Sequence, residues 1–452
     1  MSSKFIQCDR KTPFLLPPSI EEWLPDGHLA RFVVEIVGQL NLRSLKDSYA
    51  GRGSQAHSPV MLTALLFYGY ATGIFSSRKL ERSTYDSVAF RYIAANTHPD
   101  HDTIAGFRRR FLKELSALFV QILMIAGRMG VLKLGKVSLD GSKIKANASR
   151  HKALSYGHAC KQEAQLKIEV EELLKKAEAA DRSDLPDGLS IPEELERREK
   201  RLEAIAAAKA EIERRATERH AREQAAYEEK MARRIKKEQE TGKKPRGKQP
   251  KPPTPGPCSK DQVNLTDEES RIMPVSGGGF EQGYNVQAAA DITSKLIVSA
   301  HVTQQPNDKQ EIEPTLEHLA ALPEELGTIT DLLADNGYFS EENVAACEKR
   351  ELTPFIAAGR EEHHEPLWDR FREPPPLPEG AVAVTRMKHR LRTTAGKAIY
   401  ALRKTTSEPV FGIIKAVMGF RSFSMRGFEK AQGEWNLACI AWNIKRLHAL
   451  TT

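Results

Sequence analysis

Between about residues 10 and 130, apolar positions recur at helical spacing. The stretch "SPVMLTALLFYGYATG" sets Met61, Leu62, Leu65 and Leu66 behind a Ser-Pro helix start. "SSRKLERSTYDSVAFRYIAA" predicts a second helical region with a Ser cap. A third begins at "DHDTIAGFRRRF", with Asp102 as the expected N-cap and Ile104, Phe107 and Phe111 on one face. After residue 136 the period shortens. In "KVSLDGSKI", Val137, Leu139 and Ile144 flank Asp140-Gly141, a pattern that predicts a hairpin turn between two strands. "GYNVQAAADITSKLIVSAHVT" predicts two strands about a turn from Asp291 to Lys295. "TITDLLADNGYFSEENVAACEKRELTPFIAA" predicts a strand ending at Asp335, an Asn-Gly turn, a helix capped by Ser340 and a short strand at Pro354 to Ile356. Strands leading into a β-α-β unit make a mixed α/β layer, in which ligand chemistry collects at the carboxyl ends of strands.

Between the two strand regions lies a segment of another character. Residues 161 to 240 are rich in Ala, Glu, Arg and Lys, with Leu195, Leu202, Ile205 and Ile212 at heptad-like spacing. They predict a helical hairpin broken at "DRSDLPDGLS", followed by a Lys- and Pro-rich linker. The expected layout is a helical domain over 1–130, a first core segment over 131–160, a charged helical insertion over 161–260, and the rest of the core with closing helices over 261–452. Trp435 and Trp442, seven apart, are expected on the buried stripe of the last helix.

Composition narrows the class. A hydrophobic share of 40% over 452 residues permits more than one domain with a real core, and no apolar run is long enough to span a membrane. The first ten residues lack an apolar leader, and five scattered cysteines contain no C-x-x-C pair. A reducing cytoplasm is therefore expected. The net charge of +8 suggests a polyanionic partner only where the charge is concentrated. It is concentrated between residues 380 and 428, where ten Lys or Arg surround one acid, Glu408. Arg108, Arg109 and Arg110 form a smaller cluster. The short helices before it are compatible with a helix-turn-helix DNA-binding region or with an ordinary helical bundle.

Asp140 and Asp335 share a local design, an apolar strand followed by Asp and a glycine-containing turn. Such a turn has a purely backbone explanation, and Glu408 could simply pair with Arg403 or Lys404. Together with Glu408, however, three carboxylates would repel one another unless a hard, oxygen-preferring cation such as Mg2+ neutralised them. Pro409 is expected to hold Glu408 extended just before a helix, and Lys415 returns to nearly the same helical face.

"YALRKTTSEPVFGIIK" contains Tyr400, Arg403, Glu408 and Lys415 in the order of a Tyr-Arg-Glu-Lys signature. With "LDGSKIKANAS", "LLADNGYFSEENV" and the N-terminal helical motifs, the chain resembles the DDE transposases of bacterial insertion sequences, in the branch bearing that signature. The resemblance implies an α/β ribonuclease-H-like mixed-sheet core with an N-terminal all-helical domain and a helical insertion. It implies Asp140, Asp335 and Glu408 as catalytic acids and ligands of Mg2+ or Mn2+. Tyr400, Arg403 and Lys415 would support the third acid or contact DNA, and Lys143, Lys145 and the 108–110 arginines would lie along it. The partners implied are double-stranded DNA, as element ends and as target, and a second copy of the chain on DNA. Four residues separate Arg403 from Glu408, where the wider family often has three. Two rivals stand beside this reading: a nuclease of the same fold without strand transfer, and a DNA-binding protein without catalysis.

Overall fold

The computed structural model describes residues 19–49, 56–180, 191–242, 247–275, 277–359 and 372–452. The chain divides into two compact units, one of residues 1–146 and 284–452, the other of residues 147–283. The N-terminal helices therefore share a unit with the sheet, and the smaller unit is wider than the charged stretch that marked it in the sequence.

In the larger unit, α1 (Leu29–Gln39), α2 (Arg43–Asp47), α3 (Pro59–Ala71), α4 (Ser77–Asp86), α5 (Val88–Ile93), α6 (His101–Arg110) and α7 (Leu112–Arg128) follow through brief turns. Pro59 opens α3, where a missing N–H costs nothing, and every residue from Leu62 to Ala71 is buried. α6 is capped by Asp100, which accepts from the Thr103 N–H at 2.6 Å; Asp102 stands exposed inside the first turn. The cap belongs two residues earlier than expected because a carboxylate must precede the helix to reach the third N–H.

β1 (Lys136–Lys145) runs unbroken through Asp140 and Gly141, so the expected hairpin does not form. The far half of the strand finds other backbone partners: Lys145 N–H donates to the Arg421 carbonyl at 3.2 Å, and its carbonyl accepts from Phe423 N–H at 2.8 Å.

The smaller unit holds β2 (Ala153–Ser155), α8 (Tyr156–Ala180), α9 (Ile191–Thr241), β3 (Gln262–Asn264) and β4 (Arg271–Pro274). α8 and α9 form the expected hairpin. Leu154, Ala159, Leu166, Ile205, Ala208, Ile212 and Val263 make its core. Glu163 with Lys209 at 2.6 Å and Glu169 with Arg198 at 3.0 Å tie its flanks. The predicted break at "DRSDLPDGLS" lies outside the described residues. β2 and β3 pair antiparallel, and β4 pairs with Phe280–Gly283. Gly277, Gly278 and Gly279 between them all have positive φ, so this glycine run is a turn.

Returning to the larger unit, the chain adds β5 (Phe280–Asp291, from Tyr284 onward), β6 (Ile297–Thr303), α10 (Ile312–Ala320), β7 (Asp331–Ala334), α11 (Glu341–Lys349) and β8 (Thr353–Ile356). It closes with α12 (Ala383–Arg392), α13 (Thr394–Ala401), α14 (Ser407–Gly412) and α15 (Phe428–Thr451). The strands stand in the order β6, β5, β1, β7, β8. β5 and β6 are antiparallel, while β7 is parallel to both β1 and β8. This mixed α/β arrangement is compatible with a ribonuclease-H-like core. The Ser340 hydroxyl caps α11 as expected, accepting from Asn343 N–H at 3.1 Å. Among the described residues no helix is long and apolar enough to cross a membrane.

α15 is the keel of this unit. Trp435 and Trp442 are buried as expected, and their indole N–H groups donate to the Gln287 and Lys295 carbonyls, each at 3.0 Å. Asn443 and Gln432 satisfy backbone groups of the edge strand β6, at Ile297 and Val302. Covered in this way, the edge cannot recruit a foreign strand. Glu434 is fully buried and accepts from the Tyr70 hydroxyl at 3.1 Å and from the Ser424 and Met425 N–H groups at 2.9 and 3.1 Å. The Ser424 hydroxyl donates to it as well, at 2.5 Å, so removing this acceptor strands four donors. Glu434→Ala is therefore expected to lower stability by about 3 kcal/mol or more, read from the urea midpoint.

Candidate active site

The parallel register of β1 and β7 matches Lys136 with Asp331 and Ser138 with Leu333. Carried two residues on, the same offset sets Asp140 against Asp335, at the carboxyl end of the β7 strand. Asp335 leaves the strand as the cap of a 3₁₀ turn, and its Oδ1 accepts from Gly337 N–H at 2.8 Å. Asp140 stays within β1, and its Oδ1 accepts from Gly141 N–H at 2.9 Å. The first acid is thus held by a strand and the second by a turn, where the sequence suggested turns for both.

Glu408 comes from a third element. A 3₁₀ turn at Leu402–Thr405 carries Arg403, and α14 follows directly. The Ser407 hydroxyl meets that of Ser138 at 3.1 Å, fixing the start of α14 against β1. Pro409 does not hold Glu408 extended, because both lie in the first turn of α14. There proline's missing N–H leaves no helical hydrogen bond unmade. Lys415 follows in a π turn at Ile413–Val417. Its ammonium contacts the Ser142 hydroxyl and donates to the Lys143 carbonyl at 3.1 Å, immediately past Asp140. Burial, then the nearby charge of Lys143, pushes its pKa down.

All three acids meet at one guanidinium. Arg403 Nη2 lies 3.3 Å from Asp140 Oδ2 and 3.5 Å from Asp335 Oδ2, and Nη1 lies 3.7 Å from Glu408 Oε1. Its Nε is buried without a partner. Burial pushes the Asp140 carboxyl up to about 6; Arg403 and the Gly141 N–H oppose that shift, and the charges of Asp335 and Asp308 reinforce it. A buried carboxylate beside two others is costly unless positive charge is present, and here Arg403 supplies it.

Asp308, Asn285, Gln287 and Tyr338 were not singled out in the sequence. Asp308 Oδ1 accepts from Asn285 Nδ2 and Gln287 Nε2 at 2.7 and 2.8 Å and faces Lys143 Nζ at 3.3 Å. The buried Tyr338 hydroxyl donates to Gln287 Oε1. One signal was readable: Asn285 and Gln287 fall on one face of the otherwise apolar stretch 283–290 of β5, and two buried amides need an acceptor. The glycine after Asp140 has its reason here too. A Cβ on Gly141 would lie 2.5 Å from Gln287 Nε2 and 2.8 Å from Asp308 Oδ1. Gly141→Ala is expected to cost about 1–3 kcal/mol by overpacking, measured by urea denaturation.

The remaining basic candidates divide. Lys143 belongs to this cluster, Lys145 is exposed at the end of β1, and Tyr400 is half-buried on α13. Arg109 and Arg110 are exposed, but Arg108 is buried and donates to the Tyr70 hydroxyl at 3.2 Å and to the Phe75 carbonyl at 2.8 Å. A guanidinium engaged in the core is not part of an outer basic face, so Arg108 leaves the DNA-contact set. The His363-His364 pair lies outside the described residues.

Among the described residues, no group of three or more His, Cys, Asp or Glu stands as a ready-made metal cage. The chemistry of the donor set nonetheless suits a hard divalent ion, since Asp140, Asp335 and Glu408 offer only carboxylate oxygens. Arg403 is a stand-in cation among them. A hard divalent ion at these carboxylates would have to take the place of the guanidinium.

Two family models match the chain. Residues 18–110 match "Transposase domain (DUF772)", and residues 253–444 match "Transposase DDE domain". The second match contains Asp335, Arg403, Glu408 and Lys415, while Asp140 lies between the two. No curated protein and no solved structure shows significant similarity to the chain. Taken in order along the chain, the two matched domains indicate a DDE-type transposase.

Proposed function

We propose that the protein is the transposase of a bacterial insertion sequence, of the branch with the Tyr-Arg-Glu-Lys signature, built on a ribonuclease-H-like core. It binds the terminal inverted repeats of its element, cuts at the element end and joins the freed 3′-hydroxyl to target DNA. Asp140, Asp335 and Glu408 are its catalytic acids and hold Mg2+ or Mn2+. The observation that carries this reading is the meeting of three acids from three separate elements at the single guanidinium of Arg403. The divalent ions supply Lewis acidity to the attacking and leaving oxygens.

The chain's own residues position the reacting groups. β1 and the turn after β7 fix the first two carboxylates, and the Ser138–Ser407 contact fixes the helix that brings the third. Lys415 and Lys143 line the strand beyond Asp140, where they neutralise phosphates of the bound strand. With divalent ions held by the three acids, Arg403 would be free to pair with a phosphate of the bound strand, and Tyr400, on α13, would support the third acid or contact the DNA. Lys145, Arg109 and Arg110 contribute further backbone contacts. Two copies act together on a pair of ends, in the cytoplasm at the nucleoid.

A labelled duplex ending in the element's terminal repeat, incubated with supercoiled target and Mg2+ or Mn2+, tests this. Joined product is expected. Cleavage without joining would indicate a nuclease of the same fold, and binding without cleavage a DNA-binding protein.

A further inference from the structure

Asp308 lies in the loop between β6 and α10, far in sequence from the three acids, yet its carboxylate comes close to the glycines that follow two of them. Three donors converge on Oδ1: Asn285 Nδ2 at 2.7 Å, Gln287 Nε2 at 2.8 Å and Lys143 Nζ at 3.3 Å. Two come from the buried face of β5 and one from β1, three residues past Asp140. The same side chain packs on both glycines that follow the acids. A Cβ on Gly141 would lie 2.8 Å from its Oδ1, and one on Gly337 would lie 3.5 Å from its Oδ2. One residue thus closes the space over the glycine beside Asp140 and over the glycine two residues past Asp335.

Packing alone does not explain a carboxylate here. An asparagine oxygen could accept the three donors at Oδ1, but its amide nitrogen would stand where Oδ2 now faces the Lys143 ammonium at 3.5 Å, donor against donor. Nor is the residue only a counter-ion for Lys143, because the amides are closer than the ammonium.

We infer that Asp308 is a positioning residue for the reaction proposed above, clasping Gly141 and Gly337 to set Asp140 and Asp335 at one separation and adding a fourth negative charge beside them. The inference rests on that reading. In this role Asp308 does not touch the substrate. It holds the two acids at a fixed spacing and aims Lys143 along β1, while Gln287, bound to both Asp308 and Tyr338, ties the clasp to the core.

The test uses the full chain with Asp308→Asn, which keeps the volume, and Asp308→Ala, which removes the clasp. Mn2+ affinity is measured by electron paramagnetic resonance on folded protein, alongside the Mg2+ concentration that gives half-maximal DNA cleavage. Both variants are expected to bind Mn2+ about 10–100-fold more weakly, with the Mg2+ requirement rising in step. A purely structural role would move the unfolding midpoint and leave both metal readouts unchanged in folded protein. That result overturns the inference while the wild type still binds Mn2+ and cleaves. A wild type that does neither overturns the parent reading as well.

Discussion

Asp140→Asn is expected to abolish Mg2+-dependent DNA cleavage, by at least about 10³-fold, while leaving the fold intact. The substitution keeps the shape of the side chain and removes one negative oxygen from the group facing Arg403. Asp140 is the most deeply set of the three acids, 17% exposed against 40% for Asp335 and 56% for Glu408, so on the proposed reading water would not take its place. The same position should show the opposite effect on stability. A buried carboxylate beside Asp335 and Asp308 is held at a cost, so Asp140→Asn should raise the unfolding midpoint of the metal-free protein. Lost cleavage with gained stability marks a functional acid; lost cleavage with lost stability would mark a structural one. Asp335→Ala and Glu408→Ala should match the loss of cleavage, since each removes a donor from the same set. Any of the three that keeps wild-type cleavage breaks the assignment.

Arg403→Gln should split two properties that usually move together. With the guanidinium gone, a divalent ion no longer competes with a resident cation. A unit charge about 4 Å away is worth about 4 kcal/mol at an effective dielectric of 20, so even half of that exceeds a tenfold change. Mn2+ affinity is therefore expected to rise about tenfold or more. Cleavage is expected to fall about 10²-fold, because the charge that turns to the phosphate is missing. The metal-free protein should lose about 2–3 kcal/mol, since three carboxylates are left without their counter-charge. The lower end applies because the Glu408 side chain is 56% exposed and partly screened. Calorimetric Mn2+ titration with single-turnover cleavage measures the split. Weaker Mn2+ binding in the variant would mean that Arg403 supports the metal site and does not occupy its place.

Much of this was legible in the chain. The strands about Asp291 to Lys295, the strand before Asp335 and the Ser340-capped helix follow local patterns that burial reinforces. The buried stripe of α15 was readable for the same reason. The unbroken run of β1 through Asp140 was not, because Asp-Gly reads as a turn unless one knows what approaches the glycine. Here Gln287 and Asp308 approach it, from residues distant in sequence. Arg108 misled in the same way: three consecutive arginines look alike until helix phase turns one of them inward beneath Tyr70. The three acids could be listed from the sequence, but their convergence could not. It depends on the parallel register of β1 with β7 and on the Ser138–Ser407 contact, and both are long-range. Asp308 lacked any local signature, since its partners sit on other strands.

The central claim is that Asp140, Asp335 and Glu408 form one metal site in which Arg403 stands while the ion is absent. A crystal structure of the protein soaked in Mn2+, with anomalous data, tests it most directly. Expected is an anomalous peak within coordination distance of the Asp140 and Asp335 carboxylates, with Glu408 turned toward it and the Arg403 guanidinium displaced. Arg403 still wedged among the three acids, with Mn2+ bound elsewhere or not at all, would contradict it.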